Sequence, residues 1–303
     1  MLLFAAGCRG VPDGTPDQLL RRGNELMAGK RYKDARRHYD AIVKRYPSAP
    51  ELEEAMLRIA EARRYRREGS SSFEAYKRFV ERYPTSRLGL EAAQGEYELG
   101  VEYLGGKMGG FFLFGKDESR GVLVLEHMQT HFPNYSLAAD ALLHVGDWQL
   151  KELDYADAAK TYRRLLGEYP RSVYQLKVRF QLARAIWLRS EGADYDERIL
   201  FEAKRAFGNF EAAARRVPDG ETLYTDQIAH AQKRIHDVRE RLAEKQLIVA
   251  RFYDRRDAPE AALIYYRYCA QTYADTNGGK RAAAILAERT KTAQDEGNEK
   301  EGA

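Results

Sequence analysis

The sequence is poor in the residues that build covalent or metal-held frameworks. It has two cysteines, Cys8 and Cys269, which are 269 − 8 = 261 positions apart, and this count does not support a disulfide framework or a cysteine cluster. Beyond the first seven residues, no uninterrupted apolar run approaches the ~18 residues that span a bilayer. The two signs of charge nearly balance as well. With 50 Lys and Arg against 46 Asp and Glu, the net charge is +4, and we expect no nucleic-acid partner.

The sequence also lacks the common catalytic and cofactor motifs. It contains no Gly-rich phosphate loop, no GxSxG, no HExxH and no CxxC. His127 and His131 share a helix face at i and i+4, but no carboxylate or third ligand accompanies them. We interpret them as solvated or helix-end histidines. We therefore predict a protein that is not an enzyme and has no metal or cofactor.

Proline is sparse, with nine among 303 residues, but aromatic–Pro pairs form a regular series. The second residues of successive pairs are separated by 37, 49, 37, 48 and 56 positions, and a tetratricopeptide repeat has a period of ~34 residues. We predict an all-α fold, a tetratricopeptide-repeat superhelical solenoid of about six helical hairpins. The pairs are Tyr46-Pro47, Tyr83-Pro84, Phe132-Pro133 and Tyr169-Pro170, with degraded forms at Val217-Pro218 and Tyr273-Ala274.

The interior of each unit repeats small and aromatic residues at set positions. Small residues let two helices approach closely, aromatic residues fill the groove between one hairpin and the next, and Pro ends the second helix. The predicted repeat-packing residues are Gly23, Tyr32, Ala35 and Tyr39 in the first unit, Gly146, Tyr155, Ala158 and Tyr162 in the unit that ends at Pro170, and Ala250, Tyr253, Ala262 and Tyr266 in the last.

Two further features are interpreted as ordinary structural residues rather than as sites. The stretch RRYRR, residues 63–67, is flanked by Glu61 and Glu68, and we interpret it as a solvated helix face, with a site for an acidic partner as the alternative. Cys269 lies on the packing stripe of the last hairpin and is expected in the core.

The loop GGKMGGFFLFGKDES, residues 105–119, places an apolar cluster between glycines. The cluster either tucks under the adjacent hairpin or forms an exposed surface that docks a partner or touches a membrane. In the second case Phe111, Phe112 and Phe114 are the partner-binding residues.

The N-terminal stretch AAGC, residues 5–8, resembles the cleavage box of a lipoprotein signal peptide, in which the Cys becomes lipidated. We interpret residues 1–7 as a truncated lipoprotein signal peptide and Cys8 as the lipidation site, with a frayed and untargeted N-terminus as the alternative. Residues 8–17 are then a lipid-anchored tether, residues 18–289 the solenoid, and residues 290–303 a polar disordered tail.

Several stretches of the chain resemble the BamD (YfiO) family of outer-membrane protein assembly lipoproteins. Residues 241–276 are similar to the last repeat of that family, with YADT at 273–276 in place of its usual YPDT. RYPSAPELEEAMLRIAEA and RFVERYPTS are similar to its first two repeats, and GGFFLFGKDES to a loop in its third. The matching positions of the last repeat are Arg241, Leu242, Ala243, Val249, Ala250 and Tyr253.

The resemblance implies a non-catalytic scaffold, lipid-anchored on the periplasmic face of the bacterial outer membrane. Its implied partners are the barrel-inserting protein, which is BamA-like, and unfolded barrel precursors, captured as extended peptides on a concave surface. Two other hypotheses about the function stay open. One is a generic periplasmic tetratricopeptide adaptor for cell-wall or secretion machinery, and the other is an enzyme arm such as the superhelical region of a lytic transglycosylase.

Overall fold

The computed structural model describes residues 12–108, 118–190 and 197–301, and within these ranges the chain forms α-helices and no strand. This confirms the predicted all-α class. The helices are α1 (Pro16–Ala28), α2 (Tyr32–Arg45), α3 (Leu52–Tyr65), α4 (Gly69–Arg82), α5 (Gly89–Leu104), α6 (Arg120–His131), α7 (Ala138–Lys151), α8 (Tyr155–Glu168), α9 (Gln175–Ser190), α10 (Glu197–Ala214), α11 (Gly220–Leu223), α12 (Thr225–Asp254), α13 (Pro259–Thr272) and α14 (Asn277–Glu301).

The chain divides into two compact units, residues 1–148 and 149–303. In the first unit, α1–α2, α3–α4 and α5–α6 are antiparallel hairpins, and each hairpin also contacts the next. The first helices of these hairpins touch one another as well, through α1–α3 and α3–α5. In the second unit, α9 packs on both α8 and α10, α12 pairs with α13, and α14 covers that last pair. Each unit therefore stacks hairpins in the manner of a tetratricopeptide repeat.

The aromatic–Pro pairs end helices, as the sequence predicts. Tyr46, Tyr83, Phe132 and Tyr169 directly follow α2, α4, α6 and α8, with φ between −131° and −124° and ψ between 56° and 62°. A residue before Pro is pushed out of the α region by the Pro ring. The shared backbone geometry shows that the same sequence signal ends four successive second helices in the same way.

The turn between the two helices of a hairpin contains a left-handed residue that the pattern analysis did not identify. Lys30, Arg67, Leu153 and Asp257 have φ values of 57°, 59°, 67° and 57°, and Gly106 has a φ of 66°. Side-chain-bearing residues rarely adopt this region. The recurrence indicates that the tight turn of the hairpin, rather than the residue type, imposes the conformation.

The small residues lie where helices cross. Gly23 on α1 faces Tyr39 on α2 so closely that a Cβ at Gly23 would lie 2.3 Å from the Tyr39 Cε1 atom. The Tyr39 ring is fully buried, and its hydroxyl donates to Asn24 Oδ1 at 2.7 Å. The close approach of α1 and α2 therefore depends on glycine at position 23.

The YADT segment shapes the turn into α14. Arg239 donates to the Asp275 carboxylate at 3.0 Å and to the Thr272 carbonyl at 2.9 Å. The Thr276 hydroxyl accepts from the Gly279 amide at 2.9 Å and caps the helix. The hydrogen bond from Arg239 lowers the pKa of Asp275. This part of the family-like motif thus has a structural role.

The expected disordered tail at residues 290–303 is helical as far as Glu301, because α14 runs through it. The stretch from residue 290 has no Pro, so a helix already nucleated on α12 and α13 can continue through it even though it contains Gly297 and Asn298. In the described part of the chain, no helix combines the length and the apolar character needed to cross a membrane.

Candidate protein-interaction surface

The first helices of the N-terminal hairpins carry a connected polar surface, which we call the α1–α3–α5 face. On α3 and α5 its charged residues recur at three-, four- and seven-residue steps, so they share one side of each helix. Five carboxylates and two guanidinium groups give it a formal charge of −5 + 2 = −3. The members are Asn24, Glu54, Arg58, Glu61, Arg64, Glu91, Glu98 and Glu102.

Arg58 is the centre of the N-terminal half of this face. Its guanidinium donates to both oxygens of Glu61 at 2.9 and 2.8 Å, bonds Glu91 of α5, and lies 3.5 Å from Glu54 Oε1. Glu54 in turn accepts from the Asn24 amide of α1 at 3.2 Å. Arg58 thus joins α3 to α5 and, through Glu54, to α1, and it fixes the spacing of the carboxylates.

Arg64 organises the C-terminal half. It bonds Glu102 at 3.0 Å, pairs with Glu98, and has its guanidinium carbon 4.6 Å from the centre of the Tyr65 ring. Its side chain is only 7% exposed. The interpretation of RRYRR as a solvated helix face is therefore wrong for Arg64, because its two partners come from α5, 34 and 38 residues away.

The carboxylates of this face are partly withdrawn from water. Burial raises the pKa of Glu61 in spite of its contact with Arg58, and burial raises the pKa of Glu102 in spite of Arg64. Burial alone would lower the pKa of Arg58, but its hydrogen bonds to Glu91 and Glu61 raise it. Charges in such a setting are screened less than fully exposed ones, which strengthens their effect on a bound partner.

Several polar atoms beneath the face have no hydrogen-bond partner among the described residues. They are the Tyr76 hydroxyl, Arg64 Nε and Glu102 Oε2. The Tyr76 ring is fully buried. Buried polar groups are normally paired, so these three atoms are exceptions within the described part of the chain.

An exposed aromatic residue borders the face. Tyr65 is 50% exposed and stacks on Tyr32 with ring centres 4.9 Å apart and planes 17° apart. Tyr32 begins α2, so this stack joins the first hairpin to the second. An aromatic surface next to ordered carboxylates suits recognition of an extended peptide through its side chains and backbone amides.

The histidine pair has a partner that the sequence analysis missed. His127 Nδ1 lies 3.0 Å from Glu96 Oε2, and Glu96 is completely buried. Burial raises the pKa of Glu96, and the hydrogen bond with His127 opposes that shift. The two residues are 31 positions apart on α5 and α6, which is why no local pattern reveals them.

His131 points back to its own helix, with Nδ1 2.9 Å from the His127 carbonyl oxygen. Across the residues that the structure describes, no group of three or more His, Cys, Asp or Glu side chains is placed to hold a metal ion.

The predicted packing residues fall into two sets. One set is buried, and it contains Gly23, Ala35, Tyr39, Gly146, Ala158, Tyr162, Ala250, Ala262 and Tyr266. The other set, Tyr32, Tyr155 and Tyr253, is half-buried. Tyr32 and Tyr155 begin second helices, whereas Tyr253 lies in the last turn of α12 and stacks on Tyr265 at 5.4 Å. Pro259 begins the second helix of that hairpin.

The remaining predicted residues are divided between the core and the ranges that the structure leaves out. Cys269 is fully buried, as expected for a core residue. Cys8, Phe111, Phe112 and Phe114 lie outside the described residues, so their roles stay predictions.

The C-terminal motif residue Arg241 packs on an aromatic ring. Its guanidinium carbon lies 4.4 Å from the centre of the Trp187 ring, and that of Arg234 lies 5.2 Å away. Trp187 is 3% exposed. Leu242, Ala243 and Ala250 of the motif are buried in the core of the second unit. The motif therefore combines core packing with a cation–π contact between α9 and α12.

Comparison with solved structures returns tetratricopeptide-repeat proteins at low identity. A thermophilic protein of this type from Thermus thermophilus is 20% identical, with a TM-score of 0.31, covering 71% of this chain and 100% of that one. One from Parabacteroides merdae is 11% identical, with a TM-score of 0.38, covering 88% and 98%. The type IV pilus biogenesis factor PilW is 16% identical, with a TM-score of 0.31, covering 90% and 100%. No curated protein matches the chain.

The stacked hairpins and the repeated aromatic–Pro ends define a tetratricopeptide-repeat protein. More narrowly, the model of the family YfiO, described as outer membrane lipoprotein, matches residues 12–94 and 115–302. The chain belongs to this YfiO family of outer membrane lipoproteins. The matched ranges enter both compact units, so the family assignment rests on most of the chain.

Proposed function

We propose that this protein is a non-catalytic scaffold of the machinery that assembles outer-membrane β-barrel proteins. In this role it lies on the periplasmic face of the outer membrane, held by a lipid on Cys8. It binds the BamA-like barrel-inserting protein and receives unfolded barrel precursors. The observation that carries the proposal is the match of the YfiO family to residues 12–94 and 115–302.

The α1–α3–α5 face supports the precursor-binding part of the proposal. Its carboxylates are held in place by Arg58 and Arg64, and Tyr65 offers an exposed ring beside them. An unfolded barrel precursor presents backbone amides and alternating aromatic side chains. Fixed carboxylates can accept hydrogen bonds from the amides, and the exposed edge of the ring can contact an aromatic side chain.

The first test is a mild-detergent pull-down of the tagged protein from its native envelope, with the partners identified by mass spectrometry. We expect a large barrel protein with repeated periplasmic domains in near-stoichiometric amount. Recovery of cell-wall enzymes or secretion components without that barrel protein would instead support a generic periplasmic adaptor.

A second test separates the proposed face from the rest of the surface. The double variant Glu91→Gln with Glu98→Gln removes two charges but keeps the hydrogen-bond acceptors, and the matched control is Glu74→Gln with Glu81→Gln on α4. We expect the first pair to weaken binding of a labelled precursor C-terminal peptide about threefold to tenfold, and the control to leave it unchanged. Equal affinities for both pairs would exclude the face.

The Phe loop is tested by Ser substitutions at Phe111, Phe112 and Phe114. We expect loss of partner binding with unchanged thermal stability if these side chains dock a partner. A lowered melting temperature would show instead that they are buried under the adjacent hairpin.

A further inference from the structure

The second unit contains a small cleft where α9 lies between α8 and α10. The cleft has a volume of about 120 Å³, well below the ~300–1,000 Å³ of typical small-molecule sites. It therefore has room for one side chain of a larger molecule rather than for a whole cofactor.

The rim of the cleft is basic. Arg163 of α8, Arg179 of α9 and Arg205 of α10 line it, with Glu202 as the single carboxylate among the lining residues. Glu202 pairs with Arg163 and lies 3.4 Å from the Arg189 guanidinium. The three guanidinium groups that line the cleft against one carboxylate leave 3 − 1 = +2.

Two of these guanidinium groups have no carboxylate partner within the described ranges. Arg179 donates only to the neutral Gln175 side chain, at 3.3 Å. Arg205 is exposed and makes no ion pair with a described residue. Both are free to bind a carboxylate in the two-pronged geometry that guanidinium favours.

The wall of the cleft is apolar. Ile186 is 2% exposed and Leu182 and Leu166 are half-buried. Next to the cleft, Phe201 of α10 is 46% exposed and shares a groove with Lys204 and Arg205. Asn209 adds an amide at the rim. Apolar contact, an amide and cations in one place match a peptide better than an inorganic anion, which would leave the apolar wall unused.

We propose that this α8–α9–α10 cleft binds an acidic segment of a protein partner. One apolar side chain of the segment seats against Leu166, Leu182 and Ile186, and the carboxylates beside it bind Arg179 and Arg205. The site lies wholly in the second unit and shares no residue with the acidic α1–α3–α5 face of the first. It does not depend on the barrel-assembly role.

The probe is the fluorescein-labelled peptide GDELDEG, titrated against the full chain at about 50 mM salt by fluorescence anisotropy. We expect it to bind more tightly than the neutral peptide GNQLNQG and than GDESDEG, which lacks the apolar side chain. Binding should weaken as salt rises, because the contacts are ionic.

Arg205→Glu should weaken binding of GDELDEG by about tenfold or more, and Arg179→Ala by about fivefold. The matched control is Arg216→Glu, an exposed position outside the cleft with the same change of charge. It should change the affinity less than about twofold. Both variant positions are at the rim, so we expect circular dichroism and melting temperature to be unchanged. Such a result excludes misfolding as the cause of weaker binding.

Three results would overturn the proposal. Equal affinity for the acidic and neutral peptides would show that the cleft does not select carboxylates. Equal weakening by Arg205→Glu and Arg216→Glu would show general charge attraction. Binding of phosphatidylglycerol vesicles that Arg205→Glu abolishes, with peptide binding unaffected, would make the surface a lipid site.

Discussion

At the residue scale, the contacts that matter most are those between a small residue and a large one across two helices. Gly23 and Tyr39 are 16 positions apart and touch because α1 and α2 form a hairpin. Glu96 and His127 form the corresponding polar contact across α5 and α6. Both pairs combine a residue type that can be read from the sequence with a partner that only the packing determines.

The Gly23–Tyr39 contact predicts a specific loss of stability. Gly23→Ala places a methyl group 2.3 Å from the buried Tyr39 ring, and such overpacking costs about 1–3 kcal/mol. Gly208, inside α10, has no atom within 4 Å of an added Cβ, so Gly208→Ala should stabilise by up to ~1 kcal/mol through helix propensity. Urea denaturation of both variants measures the difference, and equal effects would contradict the packing argument.

The buried Glu96 predicts a dependence of stability on pH. Its folded pKa is raised by burial, so its contribution to stability is greatest below the unfolded value and is lost as pH rises through the folded value. The groups that face it are His127 and His131. The amide in the Glu96→Gln variant does not ionise. The free energy of unfolding of the variant minus that of the native chain should therefore increase from pH 4.5 to pH 7.5.

The measurement is urea denaturation of both proteins across that range. Glu126→Gln is the control, because Glu126 is an exposed residue on α6. Its difference from the native chain should not depend on pH. A flat difference for Glu96→Gln as well would show that Glu96 is not the group responsible.

At the element scale, the hairpin turn is the most regular feature of the fold. Five turns use a residue at φ between 57° and 67°, and only one of these residues is Gly. Leu153 is the extreme case, since its side chain is 67% exposed and its conformation costs about 1–2 kcal/mol in a left-handed region.

Leu153→Gly should therefore stabilise the protein by up to ~1 kcal/mol, because the relief of strain exceeds the entropy that glycine adds to the unfolded chain. Leu123→Gly is the opposite control. Leu123 is 58% exposed inside α6, and there glycine should cost about 1 kcal/mol. Thermal unfolding compares the two. A destabilised Leu153→Gly variant would mean that the Leu side chain packs usefully in the turn.

Part of each element could be predicted from local sequence. The helix ends at Tyr46, Tyr83, Phe132 and Tyr169 follow from a Pro that disfavours helix before it. The helical extension to Glu301 and the start of the last second helix at Pro259 were not predicted. A helix boundary without a strong stop signal depends on whether neighbouring helices support it.

At the scale of the whole molecule, membership of an outer membrane lipoprotein family makes the N-terminal cysteine testable. Cys8→Ala should move the protein from the membrane fraction to the soluble fraction, because the variant has no thiol to carry the covalent lipid of the proposed anchor. Fractionation with immunoblotting measures this. Cys269→Ala, at a buried position, should leave the distribution unchanged. Retention of the Cys8 variant on membranes would remove the anchor from the proposal.

The amino-acid sequence by itself determined the helical hairpins, the ends of the second helices and the family, because each depends on local steric rules and on a repeated pattern. Only the tertiary structure decided that Arg64 is buried between two glutamates, that Glu96 meets His127, and that arginines from three helices gather around Glu202. These arrangements join residues far apart in the chain. The stacking of one hairpin on the next therefore sets both their electrostatics and the surfaces that they offer to partners.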